Sequence, residues 1–115
     1  MDISTAELAY LLKAAAPPPT TLEAFDNTDS GDPGISSPVI IRTVTMHLTG
    51  RVVRCTPSWI LLDEAAWIAD SGRWADALAN GTLNEVEPMG DGVRVARGAI
   101  VDITPWRHPL PITQK

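Results

Sequence analysis

From Pro38 onward the chain alternates apolar and polar positions. Residues 39–48 (Val-Ile-Ile-Arg-Thr-Val-Thr-Met-His-Leu) are rich in β-branched side chains and roughly alternating, which predicts a strand. Thr49-Gly50 allows a turn or a bend, and residues 51–55 read as a second strand. Thr56-Pro57-Ser58 predicts a turn, after which residues 59–68 continue as a third strand. Asp70 or Ser71 would cap a short helix through residues 73–79, with Asn80-Gly81 as its stop. Residues 82–88 read as a further strand, and Asp91-Gly92 predicts a hairpin-type turn. Residues 93–97 and 98–103 supply the last strands, and residues 104–111 an extended, Pro-rich tail.

Ahead of this body the period changes. Ser4-Thr5-Ala6-Glu7 has the form of a capping box, and Leu8, Leu11, Leu12 and Ala15 recur at helical spacing. Pro17-Pro18-Pro19 ends any such helix near Ala16. About three turns are too few to be stable alone in water, so this helix must pack on something. Residues 17–38 are rich in Pro, Thr, Ser, Asp and Gly, which reads as a solvated tether or as an arm lying along a neighbouring subunit.

Five or so short strands after one helix, with glycines at bends, predict a mainly β fold: a small, strongly curved sheet that closes on itself. Residues 1–38 form the helix and acidic arm, 39–106 the barrel with an insertion at about 69–91, and 107–115 the tail. Edges left over from closure are a natural place for subunit pairing.

Composition narrows the functional classes. With 115 residues, 44% hydrophobic and 20% charged, the chain fits one small domain with a real core. No apolar run is long enough to span a bilayer, and Asp2 and Glu7 after Met1 do not form a secretory leader. The single Cys55 offers neither an internal disulfide nor a metal cluster, which suits a reducing, intracellular setting. The net charge of -5 is uneven. Residues 1–38 hold six acids against Lys13, whereas residues 39–115 hold eight acids and eight bases. A neutral body with an acidic leader favours docking on proteins over general nucleic-acid binding, which requires a basic footprint.

Two stretches resemble the signature segments of Sm-like proteins, especially the bacterial Hfq-like branch. The first runs from Gly50 through Arg51, Cys55, Thr56, Pro57 and Trp59 to Asp63: a glycine opening a bent strand, a tight turn, then an apolar run. The second, residues 95–105, carries Arg97-Gly98 before an alternating apolar strand and is similar to that family's short final hairpin. The resemblance spans about half of the chain. It implies a strongly bent five-stranded barrel that assembles into rings through edge strands. RNA-binding members use residues in the turn of the first segment and a basic-Gly or basic-His pair in the second, facing the pore. Arg97 with Gly98 is the match carried over, while Thr56, Pro57, Ser58 and Trp59 depart from the usual turn residues. The insertion at 69–91 also departs from the family. Separately, Ala65-Ala66-Trp67-Ile68-Ala69-Asp70-Ser71-Gly72-Arg73-Trp74 looks like small phage-encoded proteins made with the virion structural set.

Candidate sites follow from residue type. Four tryptophans against one Phe and one Tyr is an unusual balance, and tryptophan is enriched both in cores and at interfaces. Trp67, Trp74, Trp106 and Phe25 are the candidate interface residues, with Trp106 in its Pro-bounded tail foremost. Under an RNA-binding reading the candidates are Arg97, Gly98 and Trp59. Arg51, Arg54, Arg94 and Arg97 are expected to pair with Asp63, Asp102 or Glu87 on solvent-facing strands. His47 should face the surface, and Cys55 should be a small buried residue. Glu85 and Glu87 share one strand face rather than forming a catalytic pair. No residues are assigned to catalysis, a cofactor or a metal.

The expected function is therefore non-enzymatic: a structural or assembly protein of a tailed bacteriophage particle, made in the host cytoplasm and located in the virion. Its partners would be further copies of itself, as a homo-oligomer, and other particle proteins, with no membrane and nucleic acid not favoured. The alternative is a cytoplasmic Hfq-like RNA-binding ring protein in post-transcriptional regulation.

Overall fold

A computed structural model describes residues 31–115. The expected helix near residues 4–16, most of the arm, and Phe25 lie outside the described residues. The elements in chain order are β1 (Pro38–Thr43), β2 (His47–Cys55), β3 (Trp59–Asp70), α1 (Trp74–Asn80), β4 (Glu85–Gly90), β5 (Val93–Ala96), a 3-10 turn (Arg97–Ala99) and β6 (Ile100–Pro105). Among the described residues the fold is mainly β: one antiparallel six-stranded sheet that does not close, with one α-helix.

The expected strand at 39–48 is two strands. Thr43 makes the reversal between them. Its Oγ1 accepts the Met46 amide at 3.0 Å, and its own amide donates to the Met46 carbonyl at 2.8 Å. Thr56 repeats the device after β2: Oγ1 accepts the Trp59 amide at 3.1 Å, and the Thr56 amide donates to the Trp59 carbonyl at 2.8 Å. A threonine hydroxyl thus substitutes for the Gly or Asn that usually marks a tight turn.

Asp91-Gly92 is a kink, not a hairpin. The 12-residue β3 is long enough to pair with β4 through residues 65–70 and with β5 through residues 59–62. Between them β3 bulges, with Glu64 at φ 50. Two aspartates staple the kink: Asp91 Oδ1 accepts the Glu64 amide at 2.9 Å, and Asp63 Oδ1 accepts the Gly92 amide at 3.0 Å. β4 and β5 therefore form one bent track along β3, and its first half, β4, lies inside the stretch the sequence reads as an insertion.

The track order is β4/β5, β3, β2, β1, β6. Laid flat, its two outer tracks would stand about 19 Å apart, at four interstrand spacings of roughly 4.8 Å. Only residues 97–99 join β5 to β6. A 3-10 turn rises about 2 Å per residue, so the sheet must curl until its ends approach. The turn is held at both sides: the Arg97 amide donates to the Ser58 carbonyl at 3.1 Å, and the Val44 amide to the Ala99 carbonyl at 2.9 Å.

Strand alternation divides the core in two. Val39, Ile41, Leu48, Val52, Ile60, Leu62, Ala65 and Val95 pack inside the curl. Ile40, Ala66, Ile68, Leu83 and Val86 lie on the other face under Ala77 of α1 and Trp106. Buried on both faces, β1 reads as an unbroken apolar run, Val39-Ile40-Ile41. Gly50 is needed where β2 bends over β3, because a Cβ there would lie 3.0 Å from Leu62 Cβ.

The helix starts later than expected. Arg73 is its N-cap and makes no side-chain cap, while Asp70 Oδ1 instead accepts the Gly72 amide at 2.8 Å. Gly81, at φ 73, ends it as expected.

The tail corrects a further expectation. Trp106 is 2% exposed and so is core rather than surface in the single chain. Its indole Nε1 donates to the Pro109 carbonyl at 3.2 Å. His108 Nε2 sits 2.8 Å from the Leu78 carbonyl at the end of α1. Lys115 exchanges two backbone hydrogen bonds with Val86, each 3.0 Å, on the outer edge of β4. Residues 106–115 thus fold back on their own chain. No helix among the described residues is long and apolar enough to cross a membrane.

Candidate interaction surface

The apolar side chains left outside both cores mark the surface. At the turn end of the β1–β6 pair, Arg42 opposes Asp102 but Thr43 opposes Ile100, so Val101 is the extra residue of a β-bulge. The bulge turns Val101 outward, 63% exposed. Val44, on the adjoining turn, is 75% exposed. Among the described residues β6 is the end of the sheet and pairs with β1 alone, so these valines flank a strand edge that no other described strand covers.

Trp67 is the second exposed anchor, at 42%. It stands opposite Leu48 on one side and Glu87 on the other. Met46 and Met89 are also exposed. Of the tryptophans expected at an interface, Trp67 alone combines large exposure with freedom from a ring or cation contact among the described residues.

Trp74 belongs to a polar clasp between α1 and the sheet. The Arg42 guanidinium lies 4.8 Å from its ring centroid, and the His47 ring 5.0 Å away, tilted. His47 is thus half-buried against an indole, not a free surface residue. Arg42 also grips Asp102 through Nε and Nη2, and that contact holds the Asp102 carboxyl below the usual carboxylate range.

The arginine pairings differ from expectation. Asp102 pairs with Arg42, outside the four arginines expected to pair, and Arg51 pairs with Glu64 at 2.6 Å instead of with Asp63. Arg97 meets Asp32, from the lead-in segment, at 2.7 and 2.8 Å, and its Nε donates to the Thr56 carbonyl. The positions carried over from the RNA-binding resemblance are therefore partly occupied from within the chain. Gly98 is exposed beside Arg97, and Trp59 is half-buried with Arg94 over its ring at 5.0 Å. Cys55 is half-buried under the lead-in, and burial, with Asp32 nearby, pushes its thiol up to about 11.

Glu85 and Glu87 are exposed, and Glu87 accepts from Gln114 Nε2 at 3.2 Å. A hollow of about 260 Å³ at the kink is lined by Glu64, Ala65, Pro88, Gly90, Asp91 and Ile112. Among the described residues, no three His, Cys, Asp or Glu side chains are grouped to hold a metal ion. The chemistry of this surface is apolar contact framed by ion pairs. In comparisons with known proteins, no family model, curated sequence or solved structure matches this chain.

Proposed function

We propose that the chain is a non-enzymatic assembly protein of a tailed bacteriophage particle, acting through homo-oligomerisation and docking on other particle proteins. The observation that carries the reading is the β6 edge, left open among the described residues and flanked by Val44 and Val101, exposed at 75% and 63%. Exposed apolar side chains beside a free strand edge are a liability unless another chain covers them. Trp67 adds an aromatic anchor of the kind that concentrates binding energy.

Within this proposal the sheet is of the Sm-like type. Five tracks, a kinked track beside β3 and a 3-10 turn before the last strand support that reading. The RNA-binding alternative has less support, because Asp32 engages the guanidinium of Arg97.

Replacing both Val44 and Val101 by Lys tests the proposal. Sedimentation should resolve smaller species than for the wild type, with unchanged circular dichroism. An assembly of wild-type size would contradict it.

A further inference from the structure

The face of the sheet outside the curl is covered over only part of its length. α1 and Trp106 pack with Ala66, Ile68 and Val86, at the β4 half of β3. At the other half, Ile60 and Leu62 turn into the curl, so Trp59 and Leu61 take the opposite face, where each is half-buried. Leu61 is opposed by Arg54 of β2 on one side and by Arg94 of β5 on the other. Directly opposed residues share a face, so the two arginines flank Leu61 on its outer side. Both are exposed, and neither makes an ion pair among the described residues. The Arg94 guanidinium rests over the Trp59 ring at 5.0 Å. Asp63, two residues further along β3, is engaged through Oδ1 by the Gly92 amide. This half of the sheet thus presents two unpaired cations around an apolar centre.

The chain enters the fold beside this face. The described residues begin at Gly31, and Asp32 lies in the fork of Arg97 at 2.7 and 2.8 Å. Residues 17–30, ahead of that anchor, hold Glu23, Asp26 and Asp29 and no base. Three residues of extended chain span at most about 11 Å. Asp29 precedes Asp32 by three residues, and Arg94 precedes Arg97 by three, so the Asp29 carboxylate comes within reach of Arg94. Arg94 and Arg54 stand on the two sides of β3, two interstrand spacings or roughly 9.6 Å apart. Asp26 precedes Asp29 by three residues, a step of matching length, and Phe25 adjoins it.

We propose that residues 25–29 of the acidic arm lie across this face of their own chain, with Asp29 at Arg94, Asp26 at Arg54 and Phe25 against Leu61. The inference goes beyond the assembly reading and does not rest on it. Exposed ion pairs are individually weak and screened by salt. The Asp32–Arg97 pair tethers the arm at one end and so raises the effective concentration of the remaining acids at the patch. Covered in this way, the two arginines and the Trp59 ring are withheld from phosphate-bearing ligands, which such a basic and aromatic face would otherwise attract.

Nuclear magnetic resonance of the full chain tests the placement. A nitroxide on Asn27→Cys, in a Cys55→Ser background, should weaken the amide signals of residues 54, 61 and 94 by more than half relative to its reduced, diamagnetic form. The signal of residue 67, at the far end of β3, should weaken less. Asp26→Lys with Asp29→Lys, or added salt, should restore the weakened signals. Diluting the labelled chain about tenfold with chain free of label and isotope should leave the effect unchanged. A second measurement needs no cysteine change: Asp26→Asn/Asp29→Asn should move the Nε–H signals of Arg54 and Arg94.

Unweakened amides at 54, 61 and 94, with unmoved arginine signals, would overturn the proposal. Weakening that vanishes on dilution would assign the arm to a neighbouring copy and overturn it as well. So would a single-stranded oligonucleotide that shifts these signals while the nitroxide leaves them intact, since the face would then belong to nucleic acid.

Discussion

Gly81 and His108 touch so closely that a Cβ built on the glycine would lie 2.7 Å from the histidine Cγ. The contact joins the end of α1 to the returning tail, where His108 also meets the Leu78 carbonyl and the edge of Trp106, with ring centroids 4.9 Å apart. Gly81→Ala adds left-handed strain to this clash and should cost about 2–3 kcal/mol in urea unfolding. His108→Ala should cost about 1 kcal/mol through the lost hydrogen bond. In the double variant the contact with the ring disappears and only the Cβ of residue 108, at 2.9 Å, remains, so its cost should be less than additive. Strict additivity would mean that the tail does not pack on Gly81.

Trp106 and Trp67 should separate stability from assembly. Trp106 is among the largest fully buried side chains, so Trp106→Ala should destabilise by about 3–5 kcal/mol. Trp67→Ala removes an indole that is 42% exposed and should cost the monomer about 1–2 kcal/mol, less than Trp106→Ala, while weakening self-association. Equal losses of stability would contradict this division of roles.

Thr49 is fully buried with its hydroxyl unpartnered, between Ile40 on one neighbouring strand and Ala66 on the other. Thr49→Val keeps the shape and removes the unsatisfied group, so it should raise stability by up to about 1 kcal/mol. A fall in Tm would show that the hydroxyl has a partner in solution.

Asp102 gives the acid response a defined sign. Its folded pKa is depressed by Arg42, so its stabilisation is present above the unfolded carboxyl pKa and is lost as pH falls through the folded value. Unfolding midpoints measured between pH 5 and 2 should therefore decline in the wild type, and less steeply in Asp102→Asn. The pair is more than a third exposed on each side, so added salt should shrink the difference. Identical slopes would contradict the pairing.

Legibility in the sequence followed the chemistry of each residue. β3 and the Gly81 stop were readable because an apolar run and a helix-ending glycine act locally. The break at 44–46 was not, because Thr43 turns the chain with its hydroxyl and leaves no Gly, Pro or Asn as a marker. Asp91-Gly92 misled for a non-local reason: the same dipeptide closes a hairpin or kinks a strand, and only the length of β3 decides. Trp106 among prolines looked exposed because nothing nearby reveals that the tail returns under α1. Val101 projects outward because of a bulge opposite Arg42 and Thr43, which strand alternation cannot reveal. Asp32 reads in the sequence as leader charge, although its partner Arg97 lies 65 positions away.

Self-assembly through the β6 edge is the central claim, and native mass spectrometry of the full chain tests it most directly. The account predicts a closed homo-oligomer at low micromolar concentration, free of nucleic acid. A species of 12.3 kDa alone, persisting as the protein is concentrated, would contradict it.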